Sequence, residues 1–323
     1  MCVTDWKWAW VVLAGSAVFS VHAQTYPTRP IRVIVGLSPG SSMDVTARLV
    51  SDKLKDVIGQ PVIVENRPGA NSVIASELVA KASPDGYMLM VAGAGSLAIR
   101  QKLELKLPFN ADRDFAPIVQ VANLPLLLLT PMALPVRSMK DLFALARARP
   151  GDLNYSSSGV GSTTHLSVEL LATQAGVRFT HVPYKGSSQM IPDLIAGQIS
   201  LAFDQITTAK PHVQAGKLRA LGVSMLKPTP LMPGLPSIAE SGVPKYESIS
   251  WNGFVAPAAT PRAVIERLNV EINKLIKTPE LTDKFAAIGG ETVGGTPEQF
   301  SALIKSESAR WGRLIYQLGI KPQ

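Results

Sequence analysis

The feature that most constrains this chain is a regular alternation of short apolar runs with helical patterns. The run "IRVIVG" (Ile31–Gly36) has strand length, and "MDVTARLVSDKLKDVIG" after it has apolar residues at helical spacing up to a stop at Gly59. "PVIVEN" (Pro61–Asn66), a second helical pattern and "YMLMVAG" (Tyr87–Gly93) follow in the same order. Parallel strands joined by right-handed helical crossovers produce this order, so this part of the chain predicts a parallel α/β sheet.

The alternation begins again near residue 139 and continues to residue 224 with further helices and strands. The tail differs, because "ISWNGFVAP" (249–257) is typical of a strand and two long helices are predicted after it. The last helix begins at a capping box, Thr296–Gln299, with proline at the first helical position. Its apolar stripe needs a sheet to cover, and the first sheet lacks helices, so we expect the tail to return there.

These patterns predict two α/β lobes joined by two crossing strands, with a ligand cleft between the lobes. Lobe 1 is discontinuous and comprises residues 24–122 and 249–323, whereas lobe 2 comprises residues 123–248. A content of 46% hydrophobic and 17% charged residues is typical of a globular protein and not of a disordered one.

The N-terminus has the pattern of a cleavable signal peptide over residues 1–23. An apolar run from Trp8 to Val21 is short for a membrane span, and Val21-His22-Ala23 has the form of a signal-peptidase site. We therefore predict cleavage after Ala23 and a periplasmic location, with an uncleaved anchor as the alternative. The only cysteine, Cys2, precedes the cleavage point, so the mature chain has no thiol catalysis, cysteine metal site or disulfide.

The charge pattern favours a small anionic partner over a nucleic acid. The chain carries a net charge of +8, which attracts anions over long distances. The basic residues are scattered, however, and form no run with interleaved aromatic residues, so nucleic-acid binding is not expected. No two histidines have the spacing of metal ligands, and we predict neither a metal nor a cofactor.

Three loops of small residues follow predicted strands and are candidates for a binding site. They are "GLSPGSS" (36–42), "AGAGS" (92–96) and "SSSGVGSTT" (156–164). Ligands of parallel α/β sheets lie beyond the carboxyl ends of the strands, and the exposed N–H groups at helix starts bind anions. The loops lack the glycine–lysine pattern of a phosphate-binding loop, so a carboxylate is the favoured ligand. A plain strand-to-helix turn is the alternative for each loop.

Nearly the whole mature chain resembles the solute receptors of tripartite tricarboxylate transporters, the Bug family of periplasmic proteins. The similar segments occur in the family's order and include "YPTRPIRVIVGLSPGSSMDVTARLVSDKL", "LNYSSSGVGSTTHLSVELL", "HVPYKGSSQMIPDLIAGQISLAFDQ", "LPSIAESGVP" and "SWNGFVAPAATP". The resemblance implies a periplasmic binding protein-like fold of the type II Venus-flytrap form, in which two lobes close on a small carboxylated solute. It also implies a monomer without enzymatic activity that delivers the solute to membrane transporter subunits.

The resemblance further implies that the ligand carboxylate is held by backbone amides, small hydroxyls and bridging water. Carried over by position, the first lobe contributes Leu37, Ser38, Gly40, Ser41, Ser42, Asp44, Ala94, Gly95 and Ser96. The second lobe contributes Gly161, Ser162, Thr163, Thr164, His165 and Asp204. Two departures concern the ligand, because Leu37 stands where the family has phenylalanine and Ser41 stands where it has glycine. A third departure is Gln205, which stands where the family has asparagine.

Several alternatives remain open at this point. A ligand-sensing accessory protein would use the same fold, and an exported hydrolase or lyase could use the same cleft. His165 and Asp204 could form a triad with Ser41 or Ser162, but neither serine lies in a Gly-x-Ser-x-Gly elbow. Asp204 could equally cap the turn that follows it, and Asp44 is suited to the first turn of a helix. Tricarboxylates, dicarboxylates, amino acids, aromatic acids and nicotinamide-like amides are all possible solutes.

Overall fold

The computed structural model describes residues 26–103, 106–184 and 187–320, and in these ranges the alternating pattern folds into one curled mixed sheet. The predicted signal peptide and its cleavage point lie outside the described residues. The strands are β1 Ile31–Val35, β2 Val62–Asn66, β3 Met88–Gly93, β4 Phe115–Pro131, β5 Asn154–Ser157, β6 Thr180–Pro183, β7 Leu201–Gln205, β8 Leu218–Val223, β9 Ile249–Pro257 and β10 Glu291–Thr292.

The helices follow the strands in the predicted alternation, which confirms the α/β fold class. They are α1 Ser42–Ile58, α2 Val73–Ala80, α3 Arg100–Leu103, α4 Met139–Ala148, α5 Thr163–Ala175, α6 Ser187–Ile195, α7 Ile206–Gln214, α8 Arg262–Ile276, α9 Pro279–Ala287 and α10 Pro297–Gln317. A 3-10 turn at Ala70–Ser72 precedes α2, and a π-helix at Gly95–Ile99 runs directly into α3. Gly59 ends α1 in the left-handed conformation, as predicted.

The long strand β4 belongs to both parts of the sheet. Strands β2, β1 and β3 are parallel, β9 runs antiparallel to β3, and the first half of β4 pairs with β9. The second half of β4, from Leu126, pairs with β7 and β8, and β5 and β6 continue the sheet in parallel. The chain crosses between the two parts a second time where Ile249 at the start of β9 pairs with Pro125.

Each part of the sheet is covered on both faces, as expected for parallel strands with apolar side chains on alternate sides. In β1, Val33 and Val35 pack with α1, α8 and α9, whereas Ile34 packs with α2 and α10 on the opposite face. In the second part, α4 and α5 cover one face and α6 and α7 cover the other. The lobe boundaries at residues 122/123 and 248/249 stay a prediction.

The tail contains three helices where two were predicted, because the short helix α9 lies between the two long ones. It is capped independently, since the Thr278 hydroxyl accepts from Leu281 N and proline follows at the first helical position. The predicted capping box of α10 is confirmed: the Thr296 side chain and the Gln299 side chain each accept the other's backbone N–H.

Helix α10 closes the first part of the sheet with aromatic side chains. The Phe300 ring meets the Trp251 ring of β9 edge-on, with 5.4 Å between ring centroids. A Cβ on Gly253 would lie 2.4 Å from Phe300, so the close approach of helix and strand requires glycine at this position. Within the described ranges, no helix combines the length and the apolar character needed to span a bilayer.

We expect Phe300→Ala to lower the free energy of unfolding by about 3–5 kcal/mol, because the substitution leaves a cavity between α10 and β9. Chemical denaturation followed by circular dichroism measures the change. The matched control on the same helix is Tyr316→Ala, since Tyr316 is 87% exposed, and its effect should stay within about 0.5 kcal/mol. Equal effects of the two substitutions would contradict the packing described here.

Candidate functional site

A cavity of about 530 Å³ lies beyond the carboxyl ends of β1, β3, β5 and β7. Apart from Asp44 and His165, every predicted site residue lines it. From the first part of the sheet these are Leu37, Ser38, Gly40, Ser41, Ser42, Ala94, Gly95 and Ser96, and from the second part they are Gly161, Ser162, Thr163, Thr164 and Asp204. The structure therefore brings the three small-residue loops together around one space.

The loop after β1 leads into α1 through a serine cap. Gly40 has φ +81°, and Ser41 then adopts an extended conformation with φ −67° and ψ 160°. The Ser41 hydroxyl accepts from Asp44 N, the third N–H group of the helix. The first two N–H groups, from Ser42 and Met43, have no acceptor within the helix, and both residues line the cavity.

The loop after β5 repeats this geometry at the start of α5. Gly161 has φ +73°, and Ser162 has φ −69° and ψ 160°, almost the same values as Ser41. The Ser162 hydroxyl accepts from His165 N at 3.2 Å. The N–H groups of Thr163 and Thr164 then lack intrahelical acceptors, and both residues line the same cavity as Ser42 and Met43.

Asp44 and His165 hold equivalent positions behind the two loops. Gly40 N donates to Asp44 Oδ2 at 2.9 Å, and Gly161 N donates to His165 Nδ1 at 3.1 Å. Each side chain therefore reaches back to the glycine before the cap, as in a capping box. This contact turns both side chains toward the loop backbone, which is why neither lines the cavity.

The Asp44 carboxylate is held in its charged form. Burial raises its pKa, but hydrogen bonds from Arg48, Gly40 N and Asn66 outweigh burial, and the net pKa is lowered. The Arg48 guanidinium donates to both carboxylate oxygens at 3.0 Å. The charge of Asp44 is therefore compensated locally and leaves the N–H groups of α1 available to another anion.

His165 accepts its hydrogen bond through Nδ1, so it is neutral in this arrangement and carries its proton on Nε2. Burial, with the neighbouring His181 as a second cause, lowers the pKa of His165 to about 4. The two imidazole rings have 4.2 Å between their centroids, and His181 Nε2 is 2.7 Å from the Ser157 hydroxyl. The loop before α5 is thus built on a histidine that must stay uncharged.

Three hydroxyls form a connected chain at the start of α5. The Thr164 Oγ1 atom lies 3.1 Å from Ser158 Oγ and 3.1 Å from Ser162 Oγ, and it accepts from Ser158 N at 3.0 Å. All three residues line the cavity. Because hydroxyls can both donate and accept, this chain can adjust its protons to an anion near the helix start.

Asp204 is almost fully buried at the end of β7 and accepts from three donors. The Ser187 hydroxyl and Gln205 N donate to Oδ1 at 2.8 and 2.9 Å, and the Thr208 hydroxyl donates to Oδ2 at 2.7 Å. Burial raises the pKa of Asp204, and the hydrogen bonds from Thr208, Ser187 and Gln205 N act in the opposite direction. Asp204 thus contacts the first residues of α6 and α7.

The two parts of the chain meet directly across the cavity. Gln205 Nε2 donates to Ser42 Oγ at 3.3 Å, which joins the end of β7 to the start of α1. A Cβ on Gly161 would lie 2.1 Å from Leu103 Cδ1, so α3 approaches the second loop as closely as a glycine permits. Gln205, one of the residues in which the chain departs from the family pattern, therefore contacts the other side of the cavity.

Several lining residues were not predicted from the sequence, among them Ser72, Arg100, Ser187, Thr208 and Asn252. Ser72 has φ +75°, a left-handed backbone conformation that is uncommon for serine and that the sequence pattern does not indicate. Arg100 follows the π-helix, whose extra residue per turn changes which side chains face the cavity. Ser187 and Thr208 belong to the site because their hydroxyls donate to Asp204, a contact that only the folded structure shows.

A catalytic triad would require hydrogen bonds that join His165 to Asp204 and to a serine hydroxyl, and the side chains do not make them. The His165 Nδ1 atom is occupied by Gly161 N, and the Asp204 carboxylate is occupied by Ser187, Thr208 and Gln205 N. The Ser162 hydroxyl contacts the backbone of His165 and not its ring. The three groups of a Ser-His-Asp triad are therefore engaged in separate hydrogen-bond networks.

The model of the family described as "Tripartite tricarboxylate transporter family receptor" matches residues 46–320. The chain belongs to this receptor family. Among curated relatives, the receptor is 40% identical to the UPF0065 protein in the tcbD-tcbE intergenic region of Pseudomonas sp., over 95% of this chain and 93% of the relative. It is 35% identical to BugT of Bordetella pertussis, over 96% and 95% of the two chains.

Solved structures of receptors resemble this one closely. Rpa4515 of R. palustris with adipate has a TM-score of 0.82 and 37% identity, covering 92% of this receptor and 100% of that chain. The periplasmic binding protein BugD has a TM-score of 0.78 and 29% identity, with coverage of 92% and 100%. MatC of Rhodopseudomonas palustris with bound malate has a TM-score of 0.77 and 28% identity, with coverage of 90% and 100%.

We expect the receptor to lose stability as the pH falls from 6.5 to 4. His165 excludes a proton in the folded state down to its pKa of about 4, whereas the unfolded chain binds that proton near pH 6.5. The loss attributable to this residue is roughly 1–3 kcal/mol. Thermal melts across this range measure it.

His165→Asn keeps an acceptor for Gly161 N and cannot titrate, so its stability should fall less steeply over the same pH range. The two proteins are compared by the slope of stability against pH. Their absolute stabilities also differ, because the substitution removes the contact between His165 and His181. Parallel pH profiles for the wild type and the variant would show that His165 is not the titrating group.

Proposed function

We propose that this receptor captures a small carboxylated solute by closing two lobes on it and delivers it to a tripartite tricarboxylate-type membrane transporter. One observation carries the proposal: the starts of α1 and α5, from different parts of the sheet, line the same cavity, and the first two N–H groups of each helix have no acceptor within the helix. Two N–H groups from each helix, together with the hydroxyls beside them, suit a carboxylate. Each helix start stabilises an anion by roughly 0.3–1 kcal/mol, and by more where water is excluded.

A carboxylate bound between α1 and α5 stabilises the closed form because only that form places both helix starts on it. Closure then follows the difference in affinity between the open and closed forms. We place the hinge where β4 passes from one part of the sheet to the other, at Asn123–Pro125, and at the start of β9, which pairs with it. The lobes in this proposal are residues 24–122 with 249–323, and residues 123–248.

Two of the similar structures favour the same ligand chemistry, since Rpa4515 is bound to adipate and MatC to malate. We extend this chemistry to the present receptor and assign the lining residues of the three loops, with Asp204, to its solute site. In this proposal the receptor is a monomer without enzymatic activity or nucleic-acid partner. It reaches the periplasm through a signal peptide cleaved after Ala23.

A thermal-shift screen of the mature protein tests the proposal. A carboxylate present at 100 times its dissociation constant should stabilise the protein by roughly 2.7 kcal/mol. Gly95→Leu should abolish this shift, because a Cβ at Gly95 meets no atom within 4 Å and the longer side chain extends into the cavity. Gly95→Ala, with a smaller side chain, should weaken binding less than leucine does.

The melting temperature of unliganded Gly95→Leu serves as the folding control and should match that of the wild type. Binding that survives Gly95→Leu would place the solute outside this cavity. If no carboxylate or amide raises the melting temperature while an ester is turned over, the receptor function itself is wrong.

A further inference from the structure

One wall of the cavity differs chemically from the helix starts of α1 and α5. It consists of Asp204, Ser187 and Thr208, which all line the cavity and which we call the acceptor patch. The Ser187 hydroxyl donates to Asp204 Oδ1 at 2.8 Å, and the Thr208 hydroxyl donates to Asp204 Oδ2 at 2.7 Å. The patch is therefore a carboxylate with two hydroxyls bound to it.

The protons of this patch are already committed. A hydroxyl has one proton and two lone pairs, so Ser187 and Thr208 can turn only lone pairs toward the cavity once they donate to Asp204. Thr208 Oγ1 also lies 3.1 Å from a second acceptor, Gln205 O. A hydrogen bond to that oxygen would use the same hydroxyl proton, so Thr208 would still have no proton for a ligand. Gln205 N also donates to Asp204. The patch thus offers oxygen acceptors and no hydroxyl proton to a ligand.

The charge of the patch also disfavours a ligand carboxylate and favours a hydrogen-bond donor. Asp204 contacts the first residue of α6 and lies at the start of α7, where its negative charge compensates the positive ends of both helices. A ligand carboxylate placed there would face a buried carboxylate at short range. At α1, by contrast, Asp44 is paired with Arg48, and its side chain lies behind the loop.

The Gln205 side chain fixes where the patch lies relative to the anion site. Residue 205 follows Asp204 directly, and its Nε2 atom donates to Ser42 Oγ at the start of α1. The acceptor patch is therefore close to one of the two helix starts that we assign to the carboxylate. A small solute can reach both with neighbouring functional groups.

We propose that the solute of this receptor carries a hydrogen-bond donor near its carboxylate, and that the acceptor patch selects hydroxy- and amino-carboxylates over matched acids without the donor. This inference rests on the proposed function. A ligand hydroxyl or ammonium group donates to the oxygens of Asp204, Ser187 or Thr208. An acid without such a group leaves the oxygens that face the cavity without a donor when the cavity closes and loses affinity for that reason.

Isothermal titration calorimetry with matched acids tests the selection. Succinate, malate and aspartate form one series, and adipate, 2-hydroxyadipate and 2-aminoadipate form a second, with both enantiomers of each chiral acid. In the series that fits the cavity, a donor-bearing acid should bind about tenfold more tightly, or better, than the acid without the donor. The hydroxy and amino arms show which donor the patch prefers.

The isosteric variant Asp204→Asn reverses the proton arrangement of the patch. Its amide nitrogen donates to one of the two hydroxyls, which frees that hydroxyl's own proton to face the cavity. The affinity ratio between donor-bearing and matched acids should fall at least about tenfold. Thr208→Val, which removes one acceptor oxygen, should lower the ratio as well and serves if Asp204→Asn does not fold.

Ser188→Ala is the matched control, because Ser188 is the exposed neighbour of Ser187 and does not line the cavity. It should keep the wild-type ratio. If acids without a donor bind as tightly as their partners, or if Asp204→Asn and Thr208→Val both keep the wild-type ratio, the acceptor patch does not select the solute and the proposed carboxylate receptor stands. If none of these acids binds, this inference fails, and the thermal-shift screen decides whether the proposed function fails with it.

Discussion

The hydrogen bond from the third N–H of a helix to the serine before it is the contact on which the cavity depends. It occurs at Ser41 for α1 and at Ser162 for α5 with nearly the same backbone angles. A side chain from the first turn, Asp44 or His165, then takes the N–H of the preceding glycine. With these donors satisfied inside the loop, each helix start keeps two N–H groups without an intrahelical acceptor, and they belong to residues that line the cavity.

Local patterns determine more of this fold than of its cavity. Strand–helix alternation, the stop at Gly59 and the capping box of α10 depend on residues near one another in sequence, and they follow from periodicity and end signals. The extra helix α9 was missed because its nine residues have a short apolar pattern. The glycine- and serine-rich loops were recognisable, but the partners of Asp204 were not, since α6 and α7 bring them from separate segments.

Receptors that share this fold bind different acids, so the fold alone does not specify the solute. Rpa4515 and MatC resemble this chain with TM-scores of 0.82 and 0.77, yet one holds adipate and the other malate. The differences must lie in side chains that line the cavity. Gln205 is one of them in this chain, because its longer amide reaches Ser42 on the opposite wall.

The position of helix α10 late in the sequence affects when the first part of the sheet can complete its folding. Ile34 of β1 and Ile315 of α10 pack in the same core, so the first part of the sheet lacks one covering layer until almost the entire polypeptide is available. Contacts between such distant segments form slowly. In a nascent chain with this topology, the first part of the sheet therefore stays incompletely covered until its last helix has been synthesised.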